Sequence, residues 1–302
     1  MVRLEGFVHG IYPKSEKLRV RIGRWERGSL SSGDLNDLMA EETAIYEGLF
    51  EGRALHTDPL FNWYDIFRPI VLISDGMDLG PLTRFEETNT FYRIPQLHGL
   101  PVLRIPPDGF HDLPENPPLP LYHSGKDQAL FLPGPETLFR FSRNVGKVER
   151  QSFLEATCRL YSGIVSKLKP ARTFLMERVK IDKIALEAIS SITDPAKVVL
   201  FTSGNLETSL FANQQKKFYS IIVDPAGPNL KLAMNHSLVP GIKLVDGHNT
   251  RMESAGEIMT KAEEISKGMD IDKMLITNSD YLDFLPRKIA DQKVNLLAGL
   301  GE

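Results

Sequence analysis

Short, continuous apolar runs alternate along this chain with longer stretches of helical periodicity, and few folds accommodate that pattern. Eight runs stand out, at residues 6–11, 60–64, 128–132, 173–177, 197–202, 219–223, 241–245 and 273–277. Several are unbroken and β-branched, notably Ser220-Ile221-Ile222-Val223 and Ile242-Lys243-Leu244-Val245. Strands covered on both faces read this way, because crossover helices bury both sides of a parallel sheet. Strands alternating with helices in this number predict an α/β fold, a single (β/α)8 TIM barrel over residues 1–302. A doubly wound sheet is the rival, but no Gly-x-Gly-x-x-Gly follows a run.

The helical stretches carry legible ends. Ser31-Ser32-Gly33-Asp34 is a capping-box variant, followed by Leu35, Leu38, Ile45 and Leu49 on one apolar stripe, with Gly52 to end it. Leu154, Cys158, Tyr161, Val165 and Leu168 form a second stripe, stopped by Pro170. Thr250-Arg251-Met252-Glu253 reads as another capping box, ahead of Ile258, Ala262 and Ile265 and a terminal Gly268. Pro286 opens the last helix at a first-turn position, where its missing N–H costs nothing.

One segment breaks the rhythm. Residues 68–122 hold half of the chain's 20 prolines, together with Phe85, Phe91, Tyr92, Phe110 and Tyr122. A flexible linker lacks such aromatics. The segment is therefore expected to be an ordered, extended, Pro-rich excursion between strands two and three, packed over the barrel.

Composition excludes several classes. Apolar residues are 42% and charged residues 25%, the balance of a globular chain rather than a fibrous or disordered one. The net charge is -3, so there is no bulk pull toward nucleic acid or an anionic membrane, and no such partner is expected. Cys158 is alone, which forbids an internal disulfide and points to an intracellular setting. No apolar run approaches the roughly 18 residues that span a bilayer. The expected location is cytoplasmic.

In such barrels chemistry sits at the C-terminal ends of the strands. The polar residues there nominate His9, Glu177, Asp224, Asp246 and His248 for acid–base work. Tyr12, Lys14, Lys17, Arg19, Trp63, Asp65, Glu136, Asn249, Asn278 and Asp280 are nominated for substrate binding. Any one of them can equally cap a helix or close a turn; the set as a whole is what argues for a site. His56, His98, His111 and His123 read as surface or packing groups, and Cys158, on an apolar stripe, as a buried structural thiol. The basic cluster Lys14, Lys17, Arg19, Arg21 and Arg24 is either a solvated face or a dock for a polyanionic tail. Nucleophile-elbow, phosphate-loop, His-Glu-x-x-His and Cys-x-x-Cys signatures are absent.

Taken in order, several segments resemble the cobalamin-independent methionine synthase family. They are Gly10-Ile11-Tyr12-Pro13-Lys14 with Trp25-Glu26-Arg27-Gly28, Phe61-Asn62-Trp63-Tyr64-Asp65, Gly80-Pro81-Leu82-Thr83-Arg84-Phe85 and Leu132-Pro133-Gly134-Pro135-Glu136-Thr137. Residues 241–253 and 282–293 continue the likeness, which covers one barrel and is most like the family's amino-terminal, zinc-free one. The resemblance implies a cytoplasmic methyltransferase barrel of methionine biosynthesis. That family moves a methyl group from methyltetrahydropteroyl-glutamate, a methyl-folate, to the thiolate of homocysteine held on zinc by one His, two Cys and one Glu. Here no His or Cys lies between Ala196 and Ala212, and none beside Asn278-Ser279-Asp280-Tyr281. Lys17-Leu18-Arg19 would stand for the residues that hold the folate tail, and Glu177 for the Glu of a strand-four Asp-Glu-Pro motif. The expectation is a subunit or half-enzyme that binds a small methyl donor or homocysteine. It would have no metal site and no firmly implied cofactor of its own, with zinc only in a separately encoded catalytic barrel as partner. The alternatives are a stand-alone barrel enzyme using strand-end His and Asp residues, and a non-catalytic binding module.

Overall fold

The computed structural model describes residues 2–50, 52–61, 63, 65–84, 91–104, 128–203, 206, 218–227 and 229–301. Its strands are β1 (Arg3–Val8), β2 (Leu55–Thr57), β3 (Ser74–Arg84), β4 (Phe91–Leu103), β5 (Gln128–Pro133), β6 (Arg143–Asn144), β7 (Arg172–Glu177), β8 (Val198–Thr202), β9 (Ser220–Val223), β10 (Gly241–Val245) and β11 (Lys273–Asn278). Its helices are α1 (Glu16–Glu26), α2 (Ser32–Gly48), α3 (Arg68–Leu72), α4 (Pro135–Arg140), α5 (Arg150–Leu168), α6 (Lys183–Ser190), α7 (Leu230–His236), α8 (Ala255–Ser266) and α9 (Arg287–Ala298). Eight strands close into a parallel barrel in the order β1-β11-β10-β9-β8-β7-β5-β2. This is the α/β TIM-barrel fold expected from the sequence.

The pleat sorts each strand's residues. Phe7, Phe131, Phe174 and Phe201 point inward and pack with ring centroids 5.2 Å (Phe7 to Phe174), 5.3 Å (Phe131 to Phe174) and 6.0 Å (Phe174 to Phe201) apart. Burying each such ring contributes roughly 1.5–3 kcal/mol. Below them, at the N-terminal end, Glu5 pairs with Lys273 at 2.5 Å, and the Arg172 guanidinium lies 3.8 Å from the centre of the Tyr219 ring.

Four expectations need correction. The first strand ends at Val8, because Gly10 takes φ +89° and turns the chain, its amide donating to Thr57 Oγ1 at 3.0 Å. The second strand is Leu55–Thr57, not residues 60–64. Asp58 Oδ1 accepts from Leu60 N at 2.7 Å, and Leu60 sits at φ +54°, so that apolar run makes a turn. Leu60, Phe61 and Trp63 still enter the core, which is why they are apolar. Helix α2 ends at Gly48 rather than at Gly52, and Ile45 faces solvent; Met39 and Tyr46 complete its buried stripe. The capping box of α8 is Ser254 with Glu257, one turn later than Thr250 and Glu253. Glu253 is drawn off to accept from Asp246 N and Lys293 Nζ.

The excursion read at 68–122 leaves the barrel between β2 and β5. Its described part is α3 and the antiparallel hairpin β3–β4, which adds the short β6 in parallel. Met77, Tyr92 and Leu97 of the hairpin join the core that contains Phe67, Tyr161 and Ile164. Residues 85–90 and 105–127, with Phe85, Phe110, Tyr122, His111 and His123, lie outside the described residues, as do Asn62, Tyr64, Gly204 and Asn205.

Candidate functional site

The C-terminal ends of β1, β7, β9, β10 and β11 bring charged and polar side chains to one mouth. His9, just past β1, is buried with its ring 4.8 Å from both Phe174 and Phe201. Its Nε2 lies 3.0 Å from the carbonyl oxygen of Asn278. A carbonyl only accepts, so Nε2 carries the proton and Nδ1 is a lone pair. Nδ1 has no hydrogen-bond partner among the described residues. Burial drives the imidazole down to about 3, against a smaller upward pull from the Asn278 bond, so it is neutral at physiological pH. The Asn278 side chain accepts from His9 N and donates to His9 O at 2.9 Å, locking β1 to β11 where the barrel closes.

Across the mouth, Arg178 grips Asp280 through two bonds of 2.7 and 3.0 Å. Asp280 also accepts from Tyr281 N at 2.8 Å, and His248 Nε2 stands 3.4 Å from its other oxygen. Burial works to raise this carboxyl, but the Arg178 bonds outweigh it and hold it below the usual range. His248 is half exposed and meets Phe284 edge-on at 4.8 Å. The Tyr281 ring packs where a side chain on Gly10 would stand, 2.2 Å from an ideal Cβ. At the rim, burial pushes Lys14 down to about 8 and Asp283 up to about 6, and their opposite charges partly offset both shifts.

Lys243 completes the mouth. It shares the inward parity of Gly241 on β10, and its Nζ donates to Thr202 O at 2.6 Å and to Asp224 Oδ2 at 3.2 Å. The ammonium lies 4.2 Å from the centre of the Phe201 ring. Sequence patterns did not nominate Lys243, Arg178, Tyr281 or Asp283. A lysine inside an otherwise apolar strand was the available signal for the first.

Other nominated residues do not converge there. Glu177 faces outward and accepts from Thr137 Oγ1 (2.6 Å), Thr137 N (2.8 Å) and Glu136 N (3.0 Å), fastening the start of α4 to β7. Burial raises its carboxyl to about 7, against the pull of those bonds. Glu136 is buried between Arg140 and Arg150. Tyr12 donates to Asp291 at 2.5 Å and packs on Tyr46. Trp63 is core. Asp65 caps α3 through Phe67 N and Arg68 N and reaches Arg93 N of the hairpin. Lys17 and Arg19 are exposed on α1 and pair with Glu41 and Glu16. Asp246 and Asn249 shape the turn before α8, where they line a cavity of about 430 Å³ with Arg251, Glu253 and Lys261.

A thiolate zinc centre does not fit this chain. Its single thiol, Cys158, is buried on α5 and pushed well above the ordinary range by desolvation. Among the described residues no three His, Cys, Asp or Glu side chains are grouped to hold a metal, and no helix is long and apolar enough to cross a membrane.

No protein-family model matches the sequence, and no curated protein does. Solved structures do. A B12-independent methionine synthase from Shewanella sp. W3-18-1, in complex with selenomethionine, is similar at 12% identity and TM-score 0.65, over 90% of this chain and 89% of that one. A putative vitamin-B12-independent methionine synthase from Listeria monocytogenes is similar at 14% identity and TM-score 0.64, over 97% and 95%. At such identities the likeness establishes the fold: this chain is a (β/α)8 barrel shaped like those of the methionine synthases.

Proposed function

We propose that the protein is a methionine-synthase-like methyl-transfer barrel that lacks a thiolate zinc centre and works as a subunit or half-enzyme. The observation that carries this reading is the fold likeness to two methionine synthase structures over nine-tenths or more of the chain. The mouth supports it by setting a fixed cation, Arg178, beside a fixed anion, Asp280, as an amino-acid acceptor or a glutamate-bearing donor requires. Activation of the homocysteine thiol falls to a separately encoded zinc-bearing barrel, since two thiolates cannot come from one cysteine.

The test is calorimetric titration with methyltetrahydropteroyl-glutamate and with homocysteine, alongside metal content per chain and methionine formation by the chain alone. Binding of one of the two, without stoichiometric metal and without turnover, is expected. A folded chain that binds neither overturns the proposal. A second reading, a stand-alone enzyme, is favoured by the convergence of His9, Arg178, Lys243, His248 and Asp280, and turnover by the chain alone would select it.

A further inference from the structure

We propose that Lys243 is a nucleophilic amine that captures the carbonyl carbon of a small 2-oxo acid as an imine in the barrel mouth. Strand β10 is apolar except for this lysine, whose inward parity places it at the end of the barrel where ligands enter. A methionine would fill the same space without the cost of burying an ammonium.

The surroundings suit an amine that must lose its proton. The Lys243 side chain is 4% exposed, whereas its partner Asp224 is 58% exposed. The carboxylate therefore touches both the amine and solvent and can carry protons between them. The Phe201 ring closes one side at 4.2 Å. Desolvation lowers the basicity of the amine, with Asp224 and Asp280 pulling the other way and Arg178 adding to the shift. Arg178, just past the end of β7 and three strands round the barrel from β10, supplies a fixed cation for the substrate carboxylate, and Asp280 keeps it aimed.

The step balances. The free amine of Lys243 forms a bond to the carbonyl carbon, and the carbonyl electron pair moves to oxygen, which takes a proton. The carbon–oxygen bond of the resulting carbinolamine then breaks. Water leaves and the nitrogen lone pair makes the imine, with Asp224 relaying both protons. This chemistry goes beyond the methyl-transfer reading and needs neither a methyl donor nor a partner, so the two fail independently.

The probe is pyruvate with sodium cyanoborohydride, which delivers hydride to the imine carbon and leaves a stable secondary amine. Intact mass and peptide mapping at pH 7 are expected to show one pyruvate less one oxygen per chain, on Lys243. Desolvation leaves more free amine on Lys243 at neutral pH than on a solvated lysine, so labelling of exposed lysines should lag behind it. Lys243→Arg, which keeps the charge but cannot form the adduct, should abolish that label, and Asp224→Asn should slow it at the same site. Acetone, lacking the carboxylate, should label more slowly than pyruvate. Label spread over surface lysines, or a wild-type chain unlabelled at Lys243, overturns the proposal. The wild-type map is sufficient by itself, so a variant that fails to fold does not weaken the test.

Discussion

At the scale of single residues, His9 shows how position overrides chemistry. An imidazole in an unfolded chain takes a proton near about 6.5, but in the folded barrel burial holds it to about 3. Between those values the unfolded chain binds the extra proton. Stability is therefore intact above the upper value and is lost as the pH falls toward the lower one, by about 1.4 kcal/mol per pH unit. His9→Gln has no such group. Urea midpoints between pH 7 and 4.5 should fall more steeply for the wild type than for the variant. Parallel slopes would show that His9 does not remain neutral in the fold. The same residue was nominated from its place at a strand end. That Nε2 is tied to the Asn278 carbonyl and Nδ1 left as a lone pair depends on a strand 269 residues away.

At the scale of elements, Glu177 ties a helix to the sheet instead of facing the mouth. Its carboxylate takes two backbone N–H groups and one hydroxyl from the first turn of α4, a helix with no side-chain cap of its own. The Thr137 hydroxyl in turn accepts from Arg178 N, so the tie also sets the start of the Arg178 loop. Glu177→Leu strands those donors and should cost roughly 3 kcal/mol by denaturant unfolding. Glu177→Gln, which keeps an acceptor, should cost clearly less. Both variants should leave the Arg178–Asp280 pair in place if the mouth folds independently of α4; a lost pair would show the two to be coupled. Strand parity explains the assignment. Phe174 and Met176 point inward, so Glu177 points outward, and a one-residue change of register would have reversed it.

At the scale of the whole molecule, closure of the barrel is the step most exposed to failure. Strand β1 pairs with β11 on one side and β2 on the other, and α9 lies over this seam. Gly6 makes that approach feasible, since an ideal Cβ there would stand 2.0 Å from the carbonyl oxygen of Leu297. Gly6→Val must push α9 off the seam. It should cost about 3 kcal/mol, lower the melting temperature and raise amide exchange first in α9. Unchanged exchange in α9 would mean the helix does not seal the barrel.

Local patterns in the chain were enough to specify the barrel, the later strands β5 and β7–β11, the stripe of α5 and the apolar lining, because periodicity and β-branched runs are local signals that close packing amplifies. They did not place β2, since an Asx turn at Asp58 and a buried core position can make a loop as apolar as a strand. They put the α8 cap one turn early, since Thr250 and Ser254 offer the same local chemistry and only Lys293 and Asp246 draw Glu253 away. The mouth was set by tertiary packing. Arg178 and Asp280 are 102 residues apart in the chain, and Lys243 meets Thr202 and Asp224 only because three neighbouring strands end at one height. Convergence depends on register between strands far apart in the chain, and no local pattern encodes it.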